Sequence, residues 1–225
     1  MKDNRTSQPA EKYDAEIHKT HPMYDLFHEE TLNLIEVVNQ NPGSWLDTGC
    51  GTGTLIYKAA KVFKNTLFTL ADPSEAMLAV AKNKLDNTDI KANYIQAGSE
   101  EINYPEESFN VITAILSHHY FGQEERKKAT LNCYKMLKTG GVYITFENIR
   151  PFTEQGIDIG LNLWEKEQIK AGKTKEAAQN YKKRFGNEYH PITIDSYLEL
   201  LHQVGFSVVE ILMVSGLRAG FYAIK

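Results

Sequence analysis

The stretch that most constrains this chain is Leu46-Asp47-Thr48-Gly49-Cys50-Gly51-Thr52-Gly53. It follows a short apolar run from Ser44 and leads into a helical pattern over residues 55–63. Glycines at alternate positions let the backbone take left-handed angles and approach a ligand more closely than side chains permit. A strand that passes through such a turn into a helix reads as the opening unit of an open α/β sheet. Ligands of such sheets bind beyond the carboxyl ends of the strands, where this turn lies.

The same rhythm continues. Residues 66–71 read as a second strand, closed by Asp72-Pro73-Ser74, with Ser74 placed to cap a helix that runs to Leu85. Residues 92–96 and 109–116 read as strands three and four. Residues 124–137 read as a helix stopped by Gly140-Gly141 as a C-cap, with a fifth strand over 142–146. Residues 151–190 break the pattern as one or two polar helices jointed at Gly172. A helix over 194–204, closed by Gly205, precedes two strands, 206–213 and 220–224, with no helix between them. Strand–helix alternation predicts a doubly wound, mostly parallel sheet with helices on both faces, and the last two strands predict an antiparallel hairpin at one edge.

The glycine turn discriminates between ligands. A dinucleotide turn wants G-x-G-x-x-G, and counting from Gly49 the third glycine position holds Thr54. Asp47 also stands where a pyrophosphate would be repelled and a ligand bearing an ammonium and a sulfonium would be welcome. Charge therefore favours S-adenosylmethionine over NAD. Asp72, 25 residues after Asp47 at the end of the second strand, can accept hydrogen bonds from both ribose hydroxyls, or can simply cap the helix after Pro73.

Four segments together carry a family resemblance. They are residues 46–53, then Ala71-Asp72-Pro73-Ser74-Glu75-Ala76-Met77-Leu78, then 105–112, then Leu137-Lys138-Thr139-Gly140-Gly141. In order and spacing this resembles the class I S-adenosylmethionine-dependent methyltransferases across about residues 44–147. The resemblance implies a seven-stranded sheet with an antiparallel C-terminal strand. It implies that Asp47 holds the methionine ammonium, directly or through water, and that Gly49, Cys50, Gly51 and Gly53 form the donor turn. Asp72 would hold the ribose, with Pro73 and Met77 near the adenine and sugar. Gly98 stands where many members carry an acid for the adenine amino group, so Ser99 is the candidate for that contact. Leu116 and Ser117 would line the methionine side. An N-terminal helix would fold over the donor as a lid, bringing Tyr13 or Tyr24 near the sulfonium. Residues 1–40 thus form an arm and lid, with residues 1–12 polar and mobile, and 41–225 the methyltransferase domain, with 151–190 as an acceptor-side cap.

The donor is already activated, so a base is needed only where the acceptor keeps its proton. His118 and His119, past the fourth strand, are the candidates for an acceptor-side base or orienter, with His118 slightly preferred. Trp164, Tyr181, Phe185 and Tyr189 either build the acceptor pocket or anchor the cap. Glu147-Asn148 either orients an acceptor or caps a helix. No histidine or cysteine spacing marks a metal site.

Composition sets outer limits. Lys plus Arg number 25 against 29 Asp plus Glu, giving a net charge of -4. That argues against a nucleic-acid track or anionic membrane as partner. Two cysteines, Cys50 and Cys133, read as free thiols, and no apolar run reaches the ~18 residues of a spanning helix. The expectation is a cytoplasmic enzyme that methylates a small molecule. A tRNA or protein methyltransferase, and a non-methylating binder of the same donor, are the rivals; the oligomeric state is open.

Overall fold

A computed structural model describes residues 3–86 and 88–225; Met1 and Lys2, the start of the polar N-terminal stretch, lie outside the described residues. The elements in chain order are α1 (Ala10–Thr20), α2 (Tyr24–Val38), β1 (Ser44–Thr48), α3 (Thr54–Val62), β2 (Leu67–Ala71), α4 (Glu75–Asp86) and β3 (Ala92–Ile95). Then follow β4 (Phe109–Ile115), a 3-10 turn (His118–Tyr120), α5 (Gln123–Met136), β5 (Leu137–Asn148), α6 (Glu154–Lys170), α7 (Lys175–Lys182), α8 (Ile194–Val204), β6 (Val208–Ser215) and β7 (Arg218–Ile224).

The sheet has seven strands in the order β3-β2-β1-β4-β5-β7-β6. Strands β1 to β5 pair in parallel, and β7 runs antiparallel to both β5 and β6. The chain builds outward from β1 in one direction and then crosses to β4 in the other, so the gap beyond β1 and β4 is the switch point where a ligand can enter.

Alternation along the central strands explains why both faces are covered. Trp45, Val111, Val142, Ile144 and Phe146 face one core with α1 to α4. Leu46, Ile112, Ala114 and Tyr143 face the other, with α5 and α8. A period-2 pattern buried on both sides requires helices on both sides. Phe27 of α2 stacks on Phe146 of β5, ring centres 4.8 Å apart. A third apolar cluster of Trp164, Tyr181, Tyr189 and Leu217 lies in the insert. Thr153 and Thr174 cap α6 and α7 with their hydroxyls, and Gly172, at φ +98°, forms the joint between them.

The glycine C-cap expected after α5 is not there. The helix passes straight into β5 at Leu137, and Leu137 already pairs with Phe109. Gly140, at φ +75°, and Gly141 instead form a kink inside β5, where they bond to the backbone of Lys225. Glycine is needed at 141 because a Cβ there would meet the carbonyl oxygen of Lys138 at 2.8 Å. Two glycines signal a left-handed turn, but the sequence does not say whether it ends a helix or kinks a strand.

The N-terminal stretch is also more ordered than its polarity implies. From Ala10 it is helical, and Asp14 of α1 accepts from Thr52 Oγ1 at 2.5 Å and pairs with Lys84 Nζ at 2.7 Å. These contacts fasten α1 to the glycine turn and to α4.

Candidate active site

The carboxyl ends of β1, β2 and β4 border a cleft with about 940 Å³ of free space, partly open to solvent. Gly49, Gly51, Asp72, Pro73, Met77, Gly98, Ser99, Leu116, Ser117 and Tyr13 all line it. Residues thus far apart in sequence are brought to one place by the switch-point topology. Asp47, Cys50 and Gly53 do not line the cleft and lie behind its wall.

The glycine turn is held from below. Gly49, Gly51 and Gly53 have φ of +63°, +53° and +72°. A Cβ on Gly49 would lie 2.5 Å from the Ser117 Cβ, so glycine here permits the β1 and β4 ends to touch. A Cβ on Gly51 would meet nothing within 4 Å, which leaves its backbone bare toward the cleft. Gly53 serves packing, since its Cβ would press on Ala81 at 3.0 Å. The Gly51 N–H donates to Asp72 Oδ2 at 2.9 Å, and the Ser74 N–H donates to Oδ1, also at 2.9 Å. Asp72 therefore both braces the turn and starts α4, and burial raises its pKa against the pull of these two N–H groups.

Asp47 is buried with a single protein hydrogen bond, from Thr113 Oγ1 at 2.6 Å; that hydroxyl itself accepts from Trp45 Nε1 at 2.9 Å. No cation pairs with it among the described residues, and burial pushes its pKa up to about 7. A carboxyl in this state is one a ligand ammonium would convert to a carboxylate.

An acid lies beside Gly98 on the floor of the cleft. A Cβ on Gly98 would lie 2.5 Å from Glu100 Oε2, so the Glu100 carboxylate folds back over the glycine. That oxygen is buried without a partner, and Glu100 lines the cleft. Sequence reasoning passed over Glu100 because the acid arrives from two residues downstream. Asp3 was also unforeseen. It accepts from Ser74 Oγ at 2.8 Å and from the Ala76 N–H at 3.1 Å, which draws residues 3–6 across the mouth of the cleft.

The two histidines separate cleanly. His118 lies beneath the cleft wall with both ring nitrogens occupied, Nε2 on Ser99 Oγ at 2.9 Å and Nδ1 near the Tyr143 hydroxyl at 3.2 Å. Burial pushes its pKa down to about 4, so it stays neutral and braces Ser99. His119 lines a second, narrower chamber that shares Thr6, Tyr13, Leu116 and Tyr120 with the donor cleft. Its Nδ1 lies 2.7 Å from Glu147 Oε2, and Glu147 also accepts the backbone N–H groups of His118 and His119. Burial alone would raise the Glu147 pKa, but the His119 hydrogen bond and charge hold it below the ordinary value. An ionised carboxylate can only accept, so Nδ1 carries a proton, and in the neutral ring Nε2 is then the acceptor.

Leu116, at the junction of the two chambers, is a non-glycine residue at φ +55°. Such an angle costs on the order of 1 kcal/mol and collects at functional sites. Tyr181 lines the second chamber, whereas Trp164 and Tyr189 are buried within the insert and Tyr24 packs in the core. Among the described residues, no three His, Cys, Asp or Glu side chains converge as a metal site, and no helix is long and apolar enough to cross a membrane. Cys50 and Cys133 are both free and buried.

An open α/β sheet with this strand order, a glycine turn braced by an acid and a buried carboxyl beneath it are suited to a cationic nucleoside. Comparison with known proteins agrees. Residues 46–141 match a family model described as a methyltransferase domain. The carboxy-S-adenosyl-L-methionine synthase of Staphylococcus epidermidis is 23% identical over 98% of this chain and 96% of its own length. The ubiquinone/menaquinone biosynthesis C-methyltransferase UbiE of Vibrio campbellii is 30% identical over 68% of this chain and 62% of its own. The plantazolicin methyltransferase BpumL, solved with SAH and a desmethyl substrate analogue, has the same fold, with a TM-score of 0.69 at 16% identity over 96% of this chain and 94% of that one. Residues 46–141 thus carry a methyltransferase domain, in a fold shared with solved S-adenosylmethionine-dependent methyltransferases.

Proposed function

We propose that this enzyme methylates a small molecule in the chamber beyond Leu116, with His119 as the acceptor-side base. The observation that carries this reading is the joining of the donor cleft to a chamber that His119 lines, through walls shared at Tyr13, Leu116 and Tyr120. Asp47 would take the methionine ammonium, directly or through water. Asp72 would take the ribose hydroxyls, while the carboxylate of Glu100 stands ready for the adenine amino group. Gly49 and Gly51 give the backbone room, Pro73 and Met77 border the nucleoside, and Ser99, Leu116 and Ser117 line the methionine side. Cys50 and Gly53 support the turn from behind. When bound, S-adenosylmethionine supplies a methyl group on a sulfonium, so the electron pair of the broken C–S bond is accepted without further activation. Tyr13 offers an aromatic face toward that positive charge. His119 Nε2 takes the proton that the acceptor loses as its bond to the methyl carbon forms. Glu147 is a positioning residue: it keeps the proton on Nδ1 and stabilises the imidazolium.

A second reading has one observation behind it. The relative that matches nearly the whole chain is named a carboxy-S-adenosyl-L-methionine synthase, so this chain would remodel the donor rather than pass on its methyl group. Product analysis separates the two. Incubation of the enzyme and S-adenosylmethionine with small thiols, amines, phenols and acids should release SAH in step with a methylated product. His119→Ala should lower kcat by about 100-fold with little change in SAH affinity. Donor consumption without SAH would overturn methyl transfer, and unchanged kcat would remove His119 as base.

A further inference from the structure

A third cavity, under the insert, is used by neither the donor residues nor the base. It shares Thr6, Ser7, Gln8 and Tyr181 with the His119 chamber and is lined further by Lys173 and Arg184. Arg184 is 8% exposed. Its Nε donates to Glu188 Oε2 at 2.8 Å and its Nη2 to the carbonyl of Arg5, while its Nη1 is buried with no partner. Its guanidinium carbon lies 4.5 Å from the ring centre of Tyr189 and 5.3 Å from that of Tyr181. The Tyr189 hydroxyl, behind the walls of both cavities, is buried beside the Tyr120 and Tyr181 hydroxyls without a well-formed hydrogen bond, and the Tyr189 ring packs against His119 with centres 5.1 Å apart. A buried donor left unpaired costs about 1–3 kcal/mol, so two on one stacked pair ask for an acceptor.

Lys19, Lys173 and Arg184 line this cavity against Glu16 and Glu188, which pair with Lys19 and Arg184. The Lys173 ammonium lies 4.4 Å over the Tyr181 ring with no ion-pair partner among the described residues. Burial pushes its pKa down to about 8, with the charges of Arg184 and Lys19 acting the same way against Glu16. His21, on the chamber wall, is held well below its ordinary value by burial and then by the charges of Arg218, His119, Lys173 and Arg184. Glu188, the partner of Arg184, is 59% exposed and screens it weakly.

We propose that Arg184 and Tyr189 form an anion subsite, and that the molecule this enzyme methylates carries a carboxylate held there while its accepting atom reaches His119. Two unpaired donors, one on a planar guanidinium, suit the two oxygens of a carboxylate. Lys173, lining the same cavity, draws the anion in. The inference rests on the methyl-transfer reading and names the class of acceptor for that site.

The test is calorimetry on the SAH-loaded enzyme with 4-hydroxybenzoate, benzoate and the uncharged 4-hydroxybenzamide as probes. The carboxylates should bind about tenfold more tightly than the amide, the worth of one charge-assisted hydrogen bond. Arg184→Gln should erase that preference and Arg184→Lys retain part of it. Tyr189→Phe, which removes only the hydroxyl, gives the same test if Arg184→Gln does not fold, and should cut carboxylate affinity about fivefold. Equal affinity for acid and amide, no saturable binding of either, or a preference that survives both variants overturns the proposal. Failure to bind SAH strikes the donor reading instead.

Discussion

Asp47 is buried beside Thr113 with no cation paired to it among the described residues, and its carboxyl is pushed up to about 7. Two consequences follow from the sign of that shift. In the ligand-free protein the native state holds a proton that the unfolded chain releases near pH 4. The contribution of neutral Asp47 to stability is therefore whole below pH ~4 and is lost as pH rises through about 7. On the donor reading, an ammonium placed against Asp47 expels that proton. SAH binding at pH 6 should then release about one proton, seen as a dependence of the calorimetric heat on buffer ionisation enthalpy, and almost none at pH 8.5. Asp47→Asn should abolish the dependence; its persistence in that variant would assign the proton to another group. His118 and His119 make the complementary point at this scale. They are neighbours in sequence and opposites in role, because Tyr143 and Ser99 occupy one ring while Glu147 orients the other. None of those partners is near the pair in sequence, so the preference for His118 had no way of seeing them.

At the scale of elements, the arm and the insert are one assembly. Trp164 of α6 donates through Nε1 to the carbonyl of Thr20, at the end of α1, at 3.2 Å. Its ring packs on His21 and Tyr181. Trp164 thus anchors the insert to the arm that carries Tyr13 rather than facing the acceptor. Trp164→Phe should cost about 1 kcal/mol through the lost hydrogen bond, and Trp164→Ala about 3–5 kcal/mol through the cavity left behind. Urea unfolding measures both, and equal costs would show that the hydrogen bond outweighs the packing. The central elements were legible because their apolar residues alternate or recur at helical spacing, and because Ser74 and Gly205 sit at true helix ends, Ser74 Oγ accepting the Met77 N–H at 3.1 Å. The α5–β5 junction was not. Gly140 and Gly141 look like a cap from the sequence, and only the pairing of Leu137 with Phe109 shows that the strand has already begun.

At the scale of the whole molecule, burial holds three histidines among the described residues below their ordinary pKa. Burial pushes His28 down to about 3 and His118 to about 4, and holds His21 well below the ordinary value. Each unfolded histidine takes up a proton below pH ~6.5 that the native one refuses, so the unfolded state binds more protons there. Their stabilisation is present above pH ~6.5 and is lost on acidification toward pH ~4, while Asp47 opposes them over part of that range. Asp72, whose carboxyl burial also raises, acts with Asp47; three groups outweigh two, so the melting temperature should fall from pH 7 to pH 5. A flat or rising profile over that interval would contradict the neutral state of these side chains.

The sequence by itself determined the α/β class, and the glycine turn and the acid at Asp72 that border one cleft. These depend on local periodicity and on a glycine pattern that only a close backbone approach explains. It carried the charge argument for a cationic nucleoside as well, because Asp47 stands beside the turn whatever the fold does around it. The tertiary structure decided what depends on chain distance. It decided that Glu100 covers Gly98, that Gly53 packs against α4 and that Cys50 lies behind the cleft. It also decided that Glu147 turns His119, and not His118, toward the chamber beyond Leu116. Hydrophobic periodicity is written in neighbouring residues, whereas the orientation of a buried imidazole is written in partners the sheet delivers from another strand.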